Sequence, residues 1–563
     1  MRQRPASLRK FNNRTGRLIA ACLSVTPLLP STAVRAQAPP SINPGQIESD
    51  IERQRQRIEQ QQQAPRQQGP AVVGPQRPPP VVIPGGGPRF LLRKVEFESS
   101  KFISADELQA IASKYVGKQV SIADLLAMLA EINQIYAQRG IVTAIATLPP
   151  QTANNGVIKV KLTEGRLQKT TIEGSRQTSS DYIRWQVNPP AGEVLDVPKL
   201  TGDVTRFNRT NDVQIRALLQ PGTDFGLTDL QFAVTEPARN TLQIFGDNQG
   251  VQTTGRNQLG LYYKLHSLLG IDDRLTFYGV KSQGNMNGNI AYNVPFNPWG
   301  GRIGGSYTQG RIKIIQGPFE TLDVTGKSNQ ASVNIAQPVL STESLFVQTI
   351  GAYAYGNSES DFAKVTVTND RYSKSTGGLS IGLYGEGYAL TLSPAYNSIN
   401  WHDKILGGER SFNTATGSLN GTVRLPLQFY VVALGSYQYT WEELIPGDQL
   451  FSVGGPTTVR GFPTSTASGD SGYYFNAELH RDMSDIIKGL DFYVFLDSGA
   501  VFSTSPKRTQ LDSSGVGASW TPFPALTIEA SVGVPWHTVI PTQNRYEVYG
   551  RISFRPLALL NLN

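Results

Sequence analysis

The sequence predicts α+β modules followed by an all-β transmembrane barrel of about 16 antiparallel strands. Three observations predict it. From Thr241 to the C-terminus, helical periodicity gives way to alternation of period two. The polar set of that alternation carries mid-strand charges, among them Lys264, Glu478 and Arg551. A packed sandwich core rejects such charges, whereas a wet lumen accepts them. Upstream, the order strand, helix, helix, strand, strand occurs twice, which marks a repeat of pattern.

The chain has room for several domains at 563 residues, and no stretch of 18 apolar residues suggests a membrane helix. Glycine (55), Tyr (22) and Phe (23) suit many short strands with aromatics at membrane edges. A formal net charge of +8 invites a nucleic-acid reading. Arg2, Arg4, Arg9, Lys10, Arg14 and Arg17 supply much of it from a segment expected to be removed, and the remaining excess is dispersed. Nucleic acid is therefore not expected as a partner.

Residues 1–38 read as a secretory signal: a basic start without acids, an apolar run from Leu18 to Leu29, and small residues before a cut. Ala36-Gln37-Ala38 and Val34-Arg35-Ala36 both offer cleavage spacing. The single cysteine, Cys22, lies inside the run. Ile19-Ala20-Ala21-Cys22 loosely matches a lipoprotein box, but Arg17 stands too close for an apolar stretch to precede the cut. The mature chain then has no internal disulfide.

Residues 39–63 contain a candidate helix, with Ile47, Ile51 and Ile58 as a thin apolar stripe on an otherwise polar surface. It lacks the apolar area to fold alone, so it stays disordered or lies against something polar. Residues 64–88 are rich in Pro, Gly and Gln and read as an extended linker without a core. The first module covers 89–165. It has a strand at Phe90–Phe97, a helix from Ser104 with Glu107 completing a capping box, a helix over Ser121–Gln138, and strands at Ile141–Leu148 and Val157–Leu162. The second, 166–238, repeats this with strands at Leu167–Glu173, Val213–Leu219 and Leu227–Val234 and helices at Ser179–Val187 and Val197–Asn208. Each leaves a sheet edge open to a guest strand.

The barrel occupies 239–563. Its first strand reads as Leu259, Leu261, Tyr263 and Leu265 alternating with Gly260, Tyr262, Lys264 and His266, and its last ends near Phe554. By parity, Phe495 and Asp497 share one face, opposite Phe492, Val494 and Leu496. The second set is lipid-compatible, so Asp497 faces the lumen and needs a partner, for which a guanidinium is well shaped. Apparent chemical motifs dissolve on inspection. Gly378-Leu379-Ser380-Ile381-Gly382 has no strand-turn-helix context, so Ser380 reads as a lumen-facing strand residue rather than a nucleophile. The four histidines have no ligand spacing, and Gly85-Gly86-Gly87 lacks a phosphate loop's Lys and Ser/Thr. No catalytic residue, metal, cofactor or small-molecule substrate is expected.

Three segments carry a family resemblance. Val459-Arg460-Gly461-Phe462 resembles the sixth-loop signature of the superfamily that includes barrel-assembly proteins and two-partner secretion transporters. Phe495-Leu496-Asp497-Ser498-Gly499 resembles its Phe-x-Asp-x-Gly strand motif. Asp247-Asn248-Gln249-Gly250 with Thr254-Gly255-Arg256 is similar to the entry of the first barrel strand in two-partner secretion transporters. The repeated modules resemble polypeptide-transport-associated (POTRA) domains, and the helix at 44–63 resembles that subfamily's plug. The resemblance implies an outer-membrane pore with periplasmic POTRA domains that secretes a large β-helical exoprotein of haemolysin or adhesin type. It also implies that Arg460 pairs with Asp497, with Gly461 allowing the turn and Phe462 packing beside it. Partners are then the secreted protein, held by the POTRA domains, and outer-membrane lipid. The alternative is a barrel-assembly (insertase) factor of the same superfamily.

Overall fold

The computed structural model describes residues 44–61, 70–74, 88–317, 319–541 and 543–559. The signal segment, Cys22 and most of the linker lie outside the described residues.

The first module forms because two capped amphipathic helices cover one face of a small sheet. Helix α2 (Ala105–Ser113) starts at Ser104, whose hydroxyl accepts the Glu107 N–H while the Glu107 carboxylate accepts the Ser104 N–H. Helix α3 (Ile122–Gln138) starts with the same reciprocal pair between Ser121 and Asp124. Each cap contributes on the order of 1 kcal/mol. Leu125, Met128, Leu129, Ile132 and Tyr136 lie on the buried face of α3 and meet Val95, Ile158 and Val160 of the sheet. Lys94–Phe97 runs parallel to the central strand Val157–Glu164, and Ala144–Thr147 antiparallel to it. The strand expected over Phe90–Phe97 is broken. Phe90 and Leu91 pair with Val120 and Gln119, then Arg93 N–H turns to the Gly156 carbonyl (2.7 Å), so the segment changes partners midway.

The second module follows after Gly165. Helices α2 and α3 have their counterparts in α4 (Ser180–Gln186) and α5 (Val197–Thr210), numbered onward along the chain. Leu200, Val204 and Phe207 of α5 pack on Ile215, Ala217, Leu230 and Phe232. Its sheet has four strands, in the order Val72–Val73, Gln214–Pro221, Leu227–Thr235, Arg166–Glu173. The first of these corrects the linker reading. Val72 and Val73 run parallel to Ala217 and Leu218, the Ala217 N–H donates to the Ala71 carbonyl (3.0 Å), and Ala71 and Val72 pack on the module's core. Part of the linker therefore occupies a sheet edge that the sequence leaves open.

Sixteen antiparallel strands then form a closed meander, each paired with the next and the last with the first. The first is Asn240–Asp247 and the second Gln258–His266, so the strand read as first from the sequence is the second. Phe245 explains the difference: it sits on the inward face of Asn240–Asp247, where alternation predicts a polar residue. Strand length varies from eight residues at the closing seam to 21 in Val365–Gly385. Outward residues such as Phe492, Val494 and Leu496 are exposed and apolar, while Asp497 and Phe495 are buried inward.

The modules join one end of the barrel through a polar weld. The buried Asp272 carboxylate, in the turn after the second strand, accepts the Asp212 and Val213 N–H groups (3.1 and 3.0 Å). It also meets His266 (2.8 Å) and Arg302 (3.0 Å). Buried carboxylates need such partners, and here they come from both sides of the junction.

Ile132→Ala should destabilise the first module by about 2–5 kcal/mol, since Ile132 is fully buried. The expected outcome is faster tryptic cleavage within residues 90–165 of the full chain, with the barrel's heat-modifiable gel migration unchanged.

Candidate functional site

Counting loops at the barrel end away from the modules, residues 441–470 form the sixth. This loop folds back into the lumen. Phe451–Val453 and Ala467–Gly469 pair as a short hairpin, and the segment between them reaches the wall. Gly454, Gly455 and Gly461 all have left-handed φ (110°, 97° and 90°), so the return depends on residues without a Cβ.

At the tip, Arg460 meets Asp497 of the thirteenth strand (Leu490–Phe502). Nε donates to Oδ2 and Nη2 to Oδ1, both at 2.7 Å, and the Arg460 backbone N–H donates to Oδ2 at 3.0 Å. Nη1 reaches Glu478 Oε1 at 2.6 Å, and the guanidinium lies over the Phe495 ring at 3.6 Å. Both the Arg460 and the Asp497 side chains are buried. The desolvation of this pair is costly, and removing one partner from such a pair typically costs about 3–5 kcal/mol. Val459 and Phe462 are also fully buried, and the Phe462 carbonyl accepts the Tyr549 hydroxyl at 2.5 Å.

The wall under the tip is shaped by glycine. A Cβ on Gly499 would stand 2.9 Å from Val459, one on Gly515 2.5 Å from Phe495, and one on Gly533 2.4 Å from the Gly461 nitrogen. Gly533 thus leaves room for the loop backbone, Gly499 for the Val459 side chain, and Gly515 for the Phe495 ring on which the Arg460 guanidinium lies. Gly499 was legible from the sequence; Gly515 and Gly533 were not.

Sequence reasoning also missed how far the polar network extends. Glu478 passes from Arg460 to His480 Nε2 (2.9 Å), His480 Nδ1 meets Asp491 (2.6 Å), and Tyr430 donates to Asp491 (2.7 Å). The imidazole is stacked between Tyr430 and Tyr493, with centroids at 4.5 and 4.7 Å. The available signal was Glu478 itself, a mid-strand charge facing the lumen without an assigned partner. Arg57, Arg460, Arg551, Glu478, His480 and Asp491 border a lumen cavity of about 520 Å³.

Helix α1 (Pro44–Gln61) lies inside the barrel and touches this loop. Arg57 donates to the Pro456 and Thr457 carbonyls (2.8 and 2.9 Å), and Arg53 to the Ser452 hydroxyl (2.9 Å). Gln258 donates to Gln54 Oε1 (2.9 Å), and Gln54 donates to the Gln249 carbonyl (3.3 Å). Ile51 and Ile58 pack with inward Phe245, Tyr262 and Tyr278, so the stripe meets an apolar patch rather than a wholly polar surface. Ile47 lies on the same helix.

The segment Asp247 to Gly255 forms the turn between the first two strands, at the far end, rather than a strand entry. Its residues hold the seam. Asp247 pairs with Arg551 (2.8 Å), while Asn248 donates to the Val548 carbonyl (2.9 Å) and accepts the Gly550 N–H (2.8 Å). Gly250 lets the turn close, since a Cβ would stand 2.5 Å from the Gly255 carbonyl, and the Thr254 carbonyl accepts the Ser282 hydroxyl (2.7 Å). The motif therefore lies beside α1, whereas Ser380 is a strand residue whose hydroxyl accepts from the Ser393 hydroxyl at 3.4 Å.

A closed 16-stranded barrel with a retracted loop and two α/β modules defines a POTRA-bearing outer-membrane protein transporter. A POTRA model of ShlB type matches residues 90–165, and one described as haemolysin secretion/activation protein ShlB/FhaC/HecB matches 226–521, more than half of the chain. The chain belongs to that family, the outer-membrane translocators of two-partner secretion, with its modules in the periplasm. It is 24% identical over 526 residues to the outer membrane transporter CdiB of Dickeya dadantii, covering 89% of this chain and 92% of the relative. It is 23% identical over 497 residues to the heme/hemopexin transporter protein HuxB of Haemophilus influenzae, covering 82% and 86%. The solved structure of CdiB from Escherichia coli superimposes with a TM-score of 0.69 at 19% identity, covering 91% of this chain and 99% of that one.

In the wild type, Arg460 should resist trypsin because it is buried. Asp497→Ala, which strands the guanidinium, and Gly533→Val, which denies the tip its floor, should each release peptides ending at Arg460. Mass spectrometry of the digested, folded protein checks this.

Proposed function

We propose that this chain exports a large β-helical partner protein of haemolysin or adhesin type, with its own plug and sixth loop as the closed state of the pore. The observation that carries this reading is α1 inside the lumen, hydrogen-bonded to the backbone of loop six. A helix placed there blocks passage, and its contacts are mostly polar, so water can replace them when it leaves. The pore then acts as a transporter without chemistry of its own. No nucleotide motif supplies energy, and folding of the cargo outside the cell removes the unfolded state from the channel.

Capture would occur on the periplasmic modules by strand addition. Val72–Val73 already covers part of the Gln214–Pro221 edge. An incoming strand on that edge must displace it, and residues 62–71 tie this strand to the plug. Cargo arrival and plug release are thus linked by one segment of chain.

Deleting residues 44–63 should raise single-channel conductance in planar bilayers; an unchanged conductance would remove the plug from the mechanism. Arg460→Ala should abolish appearance of the partner exoprotein outside the cell while the barrel still assembles. Val73→Pro removes the N–H that this parallel register directs at the Ala217 carbonyl and should strengthen binding of the cargo's N-terminal region to the purified transporter, measured by titration.

A further inference from the structure

The outer wall of the barrel carries a built depression that the secretion reading does not use. On the third and fourth strands (Arg274–Ser282 and Asn285–Pro295), Gly279 and Gly288 are register partners and both face outward. Neither glycine is demanded by the fold. Their φ values are ordinary, and a Cβ would meet nothing closer than 3.4 Å at Gly279 or 3.8 Å at Gly288. Glycine in a strand weakens it, so two side by side without steric cause call for another reason. Around them, exposed Leu259, Phe277, Met286 and Ile290 wall a groove of about 790 Å³, within the range of ligand pockets.

One row toward the cell exterior, the outward residues change character. Lys281 pairs in register with Met286, Met286 with Arg311, and Arg311 with Lys327. Arg311 and Lys327 are thus like charges directly opposite one another, an arrangement that destabilises a sheet unless an anion sits between. Glu359 reaches Lys327 at 3.5 Å. Among the described residues, Lys281 and Arg311 have no ion-pair partner. The row of the two glycines continues around the wall into hydrogen-bonding groups, where Gly288 pairs with Gln309 and Gln309 with Asn329.

We infer that this face binds a phosphorylated, multiply acylated glycolipid of the outer leaflet. Phosphate sits on the row of Lys281, Arg311 and Lys327, sugar hydroxyls meet the amides of Gln309 and Asn329, and one acyl chain fills the groove over Gly279 and Gly288. The cationic row lies on the exterior side of the row that holds the amides and the two glycines, and Phe277, Ile290 and Tyr307 form the next row toward the periplasm, which matches the order phosphate, sugar, chain in such a lipid. The site spans the third to the sixth strands, which lengthen from nine to 17 residues away from the seam.

The test uses full-length protein in detergent, titrated with bisphosphorylated hexa-acyl lipid A and followed by native mass spectrometry. Lys281→Gln/Arg311→Gln should weaken binding by about tenfold or more. Gly279→Leu/Gly288→Leu, which fills the groove and keeps the charges, should weaken it comparably. Heat-modifiable migration establishes that both variants are folded. Three results would overturn the inference: unchanged binding in both variants, equal binding of lipid A lacking its phosphates, or displacement by an equimolar amount of phosphatidylglycerol.

Discussion

A guanidinium held inside a barrel wall is the constraint on which the rest of the lumen depends. Arg460 leaves water and must regain every hydrogen bond that it loses. Asp497 gives two, Glu478 gives one, and Phe495 covers a face of the cation. None of these reaches Arg460 unless the loop tip lies flat on the wall. That in turn requires the side-chain-free floor at Gly499, Gly515 and Gly533. The ion pair thus fixes the loop, the loop fixes where its carbonyls point, and two of those carbonyls hold Arg57 of the plug.

The seam is governed by the same accounting. Only four residue pairs, Ile244–Asp247 with Arg551–Phe554, join the first and last strands. Side chains extend the closure: the Asn248 amide imitates a backbone pair against Val548 and Gly550, and Arg256 pairs with Glu547 at 2.7 Å. The Gln249 carbonyl accepts both from Gln54 of the plug and from Thr464 of loop six (3.3 Å each). Plug, loop and seam therefore meet at one peptide group.

Much of this was legible because it rests on period and parity. Alternation placed Asp497 inward, and Ser104 with Glu107 placed a helix start. What escaped the sequence has physical causes. The strand at Val72–Val73 is two residues long, too short to show any period, and its partner is remote. Phe245 breaks the polar face of the first strand because it serves the plug's apolar stripe, a tertiary demand that no local pattern records. Gly533 looks like any strand glycine until the loop that needs it is in place, and Gly515 until the Phe495 ring is laid across it. His480 is a histidine without ligand spacing; its neighbours across the sheet, not along the chain, make it part of the lock.

On the proposed function, the ranking of these contacts sets the order in which the pore opens. Loop six is held by a buried charge pair, by fully buried Val459 and Phe462 and by close backbone packing, so lifting it exposes uncompensated charge and apolar surface together. The plug is held by a few polar side chains, each worth about 0.5–1.5 kcal/mol net, and by two isoleucines. Its loss leaves Pro456 and Thr457 carbonyls that water can satisfy, whereas the loss of Asp497 takes the bidentate pair from the buried Arg460 guanidinium and leaves it Glu478 alone as a charged partner. On the proposed function the helix departs first and at lower cost, and the lock remains as the wall past which an extended chain moves.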